Sequence, residues 1–342
     1  MKTTELVKPI LETCNLTIGY DHRKEGRLEL LSNINLKMIP GEMVCLIGPN
    51  GCGKSTLMRT MAGIQPALSG KTLVEGRTIK ERNFKDIARL ISMVLTDRLT
   101  VGNLSVFHIV SLGRYPYNNW FGGLSHEDKS KIFEALDQVH MRHMMNRQIS
   151  ELSDGEKQRV MIAKALAQDT PLVLLDEPTA HLDLPNRVET MKLLRMLTKE
   201  TGKAILLTTH ELDLALQAAD TIWLMNNKSH LETGCPEDLV LNGKFEQAFK
   251  TNSFEFDLYT GSFKLNHHKV ASICFQDGSI EGFWTKRALE REGFELTDDE
   301  SLPVKLNVDG ENRIWKLKWN GGEQSFYDVA TIIKKLREIF SC

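Results

Sequence analysis

Gly48-x-x-x-x-Gly53-Lys54-Ser55 follows the apolar run MVCLIG and opens a helical pattern. Glycines so spaced let backbone N–H groups turn inward, where they and the next helix's N-terminus surround phosphate oxygens. The expected cradle is Gly48, Pro49, Asn50, Gly51, Cys52, Gly53, Lys54, Ser55 and Thr56. Lys54 would neutralise phosphate oxygens, and the Ser55 hydroxyl would hold Mg²⁺. Two adjacent carboxylates end a second apolar run, LVLLDE. Asp176 is placed to hold the metal ion and Glu177 to polarise an attacking water. His210, just past AILLTT, would meet the γ-phosphate from the same side. This chemistry is the binding and hydrolysis of a nucleoside triphosphate. A guanine-reading NKxD is absent, which argues against a switch GTPase.

Such residues need strands that end together. MVCLIG, LVLLDE and AILLTTH are continuously apolar, as in parallel strands covered on both faces. Between them DKSKIFEALDQVHM and NRVETMKLLRMLTKETG repeat apolar residues at helical spacing, the second stopping at Gly202. NLTIGY and INLKMI alternate and predict an antiparallel flank. The expected fold is α/β, a P-loop core with a mixed sheet, from residue 1 to about 266, with a helical subdomain at about 97–170.

The pattern changes near His267. FEFDLYTGSFKL predicts a hairpin around Thr260 and Gly261, and NHHK a polar linker in which His267 and His268 lack metal-ligand spacing. Residues 267–342 then predict a small α+β domain. Thr285 would cap a helix over TKRALEREG; Val304, Leu306 and Val308 would share one strand face, as would Trp315, Leu317 and Trp319. A final helix would carry a stripe of Phe326, Val329, Ile333, Leu336 and Phe340.

The chain has 342 residues, a formal net charge of -2, 41% hydrophobic and 26% charged residues, which gives no electrostatic reason to expect a nucleic-acid partner. No apolar run reaches the length of a membrane span, and MKTTELVKPILETCN lacks a signal-peptide core. Six cysteines without CxxC spacing suit reduced thiols. The expected location is cytoplasmic.

ELSDGEKQRVMIAKALAQ decides what the nucleotide is for. Ser153 and Glu156 form an S-x-x-E capping box, which explains a helix start without any ligand. Its place just ahead of LVLLDEPTAHLD and His210 adds more. GPNGCGKST, LSDGE, LVLLDE, AHLD and His210, in that order, resemble the ATP-binding subunits of ABC transporters over roughly residues 15–265. The resemblance implies ATP with Mg²⁺, adenine stacked on Tyr20, and two copies facing head to tail. Ser153 and Gly155 would then reach the other copy's γ-phosphate, and Asp183 would join the two sites.

SVFHIVSLGRYPYNNWFGGLSHEDKSKIFEALDQV and the ending GCPEDLVLNGKFEQAFKTNSFEFDLYTGSF resemble importers of iron–siderophore complexes, haem and cobalamin. That implies a separate membrane permease docking near Leu112, Arg114, Tyr115 and Tyr117, and indirectly a substrate-binding protein. The chain would sit on the cytoplasmic face of the cell membrane. A soluble regulatory ATPase uncoupled from transport is the alternative, and residues 267–342 would be a dimer brace or a ligand sensor. Two positions depart from the family. The glutamine that usually touches Mg²⁺ after LISMVL is replaced by Thr96, and the common LSGGQ is here LSDGE.

Overall fold

The computed structural model describes residues 7–22, 26–95, 103–117, 123–226, 230–249, 254–258, 260–265 and 267–340. It divides into two compact units, residues 1–250 with 256–262, and residues 251–255 with 263–342. The dividing line runs through the hairpin of Phe254–Asp257 and Ser262–Leu265, where Gly261 takes the left-handed backbone its turn needs (φ 64°).

A six-stranded sheet centres the first unit, in the order Leu231–Gly234, Thr221–Met225, Met43–Ile47, Ala204–Thr208, Leu172–Leu175, Ile91–Val94. The last five run parallel, and Leu231–Gly234 pairs antiparallel at the edge. Every residue of Met43–Ile47, Leu172–Leu175 and Ala204–Thr208 is buried. Packing on both faces removes the need for alternation, which is why these strands read as unbroken apolar runs. A second, antiparallel sheet has Leu11–His22 paired with Gly26–Ile34 on one side and Ser69–Val74 on the other. Its inward residues Leu11, Leu16 and Ile18 join Val44, Leu46, Leu57, Met58 and Trp223 in one core.

The helical part carries Val106–Ser111, His126–Gln138 and Asp154–Ala167. Arg114 ties it together rather than facing outward. Its Nε donates to Asp128 Oδ1 at 2.8 Å, its Nη1 donates to the Ala167 carbonyl at 2.9 Å, and its guanidinium lies 3.9 Å from the centre of the Tyr117 ring. Only 3% of Arg114 is exposed, so it is no docking contact; Leu112 and Tyr115, at 50% and 78%, remain available.

The second unit is a five-stranded sheet ordered Phe294–Thr297, Ala271–Phe275, Lys305–Asp309, Ile314–Trp319, Gly322–Phe326, with helices Ile280–Arg291 and Val329–Phe340. Ile273, Leu289, Leu306, Leu317, Ile332 and Leu336 make its own core. Two expectations are corrected here. The first helix starts at Ile280, not at Thr285, because Ser279 Oγ accepts from Gly282 N and Asp277 accepts from both Ser279 N and Ser279 Oγ. Thr285 is instead buried inside the helix, where its hydroxyl donates to the Glu281 carbonyl and accepts from Trp315 Nε1 at 2.7 Å. Phe326 belongs to the edge strand Gly322–Phe326, not to the last helix, whose buried residues are Ile332, Ile333 and Leu336.

Candidate functional site

The phosphate loop leaves the carboxyl end of Met43–Ile47 and enters the helix Lys54–Met61. Gly51 and Gly53 have φ of 79° and 103°, a backbone region in which a side chain is strained. At Gly48 the need is for space: a Cβ would lie 2.7 Å from the Met225 carbonyl oxygen. Lys54 is 6% exposed, and its Nζ donates to the carbonyls of Gly48 at 2.8 Å and Pro49 at 3.0 Å. The ammonium is thus held over the loop by the loop itself. Burial pushes the Cys52 thiol above its ordinary value, against the lowering effect of Lys54, and this disfavours the reactive thiolate.

Asp176, Glu177 and His210 come from the ends of the two neighbouring parallel strands, so all the chemistry collects on one sheet edge. Ser55 Oγ donates to Asp176 Oδ1 at 3.1 Å. Thr208 Oγ1 donates to the same Oδ1 at 2.8 Å and accepts from Glu177 N at 2.8 Å. One threonine therefore fixes both acids. Glu177 Oε1 lies 2.9 Å from His210 Nε2. The Glu177 backbone is left-handed (φ 51°), a conformation costing a non-glycine residue about 1 kcal/mol.

The donor set suits a hard cation. Ser55 and Asp176 offer oxygens within one hydrogen bond of each other, and no group of three or more His, Cys, Asp or Glu side chains that could hold a metal ion occurs among the described residues. Mg²⁺ fits such a site because it takes few protein oxygens and keeps water and phosphate oxygens as its other ligands. Thr96, the third expected ligand, lies outside the described residues. Tyr20 stands beside the loop, with its hydroxyl 2.9 Å from Thr56 Oγ1 and 38% of its surface exposed.

Ser153, Gly155 and Asp183 form a second group. Ser153 caps the helix Asp154–Ala167, and both halves of the capping box with Glu156 are present. Asp183 caps the helix Leu184–Thr201 by accepting from Asn186 N at 3.2 Å, and Asn186 Nδ2 donates to it at 2.6 Å. The Asn186 side chain also covers Gly155, where a Cβ would meet Asn186 Oδ1 at 2.6 Å. Arg159 pairs with Glu189, and Arg187 donates to Glu211 Oε1 at 2.6 Å, next to His210. Thr208, Asn186 and Arg187 escape sequence reasoning. The one available signal is the polar TTH closing an otherwise apolar strand.

A phosphate loop, an acid pair and a histidine gathered at the carboxyl ends of parallel strands define a P-loop nucleoside-triphosphate-hydrolysing domain. The chain belongs, more narrowly, to the ABC transporter ATP-binding proteins and is an ATPase. The ABC transporter family model matches residues 31–180, and the iron ABC transporter C-terminal domain matches residues 270–337. The chain is 36% identical to an uncharacterized ABC transporter ATP-binding protein of Methanocaldococcus jannaschii, over 78% of this chain and 91% of that one. It is 35% identical to the iron(3+)-hydroxamate import ATP-binding protein of Bacillus subtilis (71% and 88%) and 31% identical to the ferric enterobactin transport ATP-binding protein of Escherichia coli (68% and 84%). Among solved structures, an ABC transporter in an inward-facing conformation matches with a TM-score of 0.61 at 28% identity, over 71% of this chain and 89% of that one. A dimeric bacterial ABC transporter cassette matches with a TM-score of 0.57 at 26% identity, over 66% and 98%.

Proposed function

We propose that this chain powers import of an iron chelate, a siderophore complex in the first instance, through a separate membrane permease. The network Ser55–Asp176–Thr208–Glu177–His210 carries the catalytic half of this reading. The cargo is inferred from the hydroxamate and enterobactin relatives and from the C-terminal match.

In this mechanism the loop amides and Lys54 hold the phosphates of ATP, and Tyr20 packs on the adenine. Mg²⁺, held by Ser55 and Asp176, would neutralise developing charge on the phosphate oxygens. Glu177 accepts a proton from the attacking water as the bond from the γ-phosphorus to the bridging oxygen breaks, and ADP and phosphate form. His210 orients Glu177 and contacts the γ-phosphate. Ser153 and Gly155 of a second copy close over that phosphate, with Asp183 joining the two sites. Residues 1–266 would form the nucleotide-binding domain and residues 267–342 a module bracing the pair. None of the described helices is long and apolar enough to cross a membrane. We place the chain on the cytoplasmic face, against permease subunits at Leu112 and Tyr115, with a substrate-binding protein acting across the membrane.

Glu177→Gln tests this reading. ATP binding should be retained while phosphate release falls by at least about 100-fold, and gel filtration with ATP should show a dimer. Normal turnover in this variant would exclude Glu177 as the base.

A further inference from the structure

The signature helix begins with a conflict over one proton. A serine hydroxyl has a single O–H to give. Ser153 Oγ gives it to Glu156 Oε2 at 2.8 Å, and the same carboxylate oxygen accepts from Ser153 N at 2.8 Å. In return Ser153 Oγ accepts from Glu156 N at 3.3 Å. Both donors of Ser153 are therefore committed to a carboxylate of the same chain. Bonds to an ionised acceptor are roughly twice as strong as neutral ones.

We propose that Glu156 competes with the nucleotide of a second copy for the Ser153 hydroxyl, and thereby sets the ATP concentration at which two copies associate. The inference rests on the proposed head-to-tail pairing and adds a regulator to it. A γ-phosphate approaching Ser153 meets an anion already on the same donors. The Asn186 side chain lies against Gly155 in the first turn of this helix, where a Cβ would stand 2.6 Å from Asn186 Oδ1. For a phosphate to take the Ser153 hydroxyl, Glu156 must release it. The neighbouring acid does not compete in the same manner, since Asp154 lies 3.4 Å from Lys157 Nζ. Its bonds to Ser153 are the main reason the Glu156 carboxyl sits below the ordinary value, with the Arg147 guanidinium adding to them. A glutamine at this position would still cap the helix, which needs only Ser153 and the residue-156 backbone, but would hold the hydroxyl through a neutral oxygen.

The test compares E177Q with E156Q/E177Q, full-length and with Mg²⁺, by sedimentation at increasing ATP. The second variant should dimerise at an ATP concentration lower by on the order of tenfold. Nucleotide affinity of the monomer should be unchanged, since Ser153 does not serve its own chain's loop. Adding S153A to both should abolish the difference. An unchanged or higher midpoint in E156Q/E177Q, or a difference that survives S153A, overturns the proposal. Failure of E177Q to dimerise at any ATP concentration would overturn the pairing itself, a distinct outcome.

Discussion

Thr208 bonds to both Asp176 Oδ1 and Glu177 N, so one hydroxyl sets the register of the two adjacent acids. Thr208→Val preserves shape and removes these bonds. Losing one or two buried hydrogen bonds costs about 1–3 kcal/mol, and we expect turnover to fall about 10–100-fold with a smaller change in ATP affinity. Steady-state kinetics would show a falling kcat at nearly constant KM; an unchanged kcat would show that the acids hold themselves. Lys54, Asp176, Glu177 and His210 were legible in the sequence because each ends an element whose pattern is plain. Thr208 and Asn186 were not, because what they do depends on a strand or helix brought alongside from 30 or so residues away, and no local spacing encodes that.

Elements are held by fewer contacts than their number suggests. Arg114 and Asp128 are almost fully buried, with side-chain exposures of 4% and 9%, and they join the turn after Val106–Ser111 to the helix His126–Gln138. Asp128→Asn leaves a buried guanidinium without its counter-charge and should destabilise the first unit by about 3 kcal/mol, read as a lower denaturant midpoint. Burial acts to raise the Asp128 carboxyl, but hydrogen bonds from Ser125 and Arg114 outweigh it and place it below its usual 3.8. A carboxyl lowered in the folded chain contributes its full stability above the unfolded value and loses it as pH falls through the folded one. Acid unfolding of the parent should therefore steepen below about pH 4, and the Asn variant should lack that component. The element that sequence reasoning misplaced, Ile280–Arg291, shows the limit of propensity. Gly282 discourages a helix, yet a Cβ there would stand 2.4 Å from Asp277 Oδ2, so glycine is what allows the cap to form.

At the scale of the whole molecule, each unit closes its own core. The parallel order of the first sheet was readable from its unbroken apolar runs. The five-stranded order of the second was not, because Gly322–Phe326 is an edge strand with four exposed residues before one buried one. A chain ending at residue 266 should retain ATP hydrolysis, and a fragment of residues 263–342 should unfold cooperatively by itself. Phosphate release would check the first and a circular dichroism melt the second, and a fragment without a transition would show that its core needs the rest of the chain.

The indole groups make this division observable. Trp223 is 1% exposed within the first unit's core and Trp315 is 5% exposed within the second's. Each would emit in the blue while its surroundings stay dry and shift to the red on meeting water. Two variants, each keeping one of these rings as the single tryptophan of a chain that has five, would turn one fluorescence ramp into separate thermometers for motor and appendage.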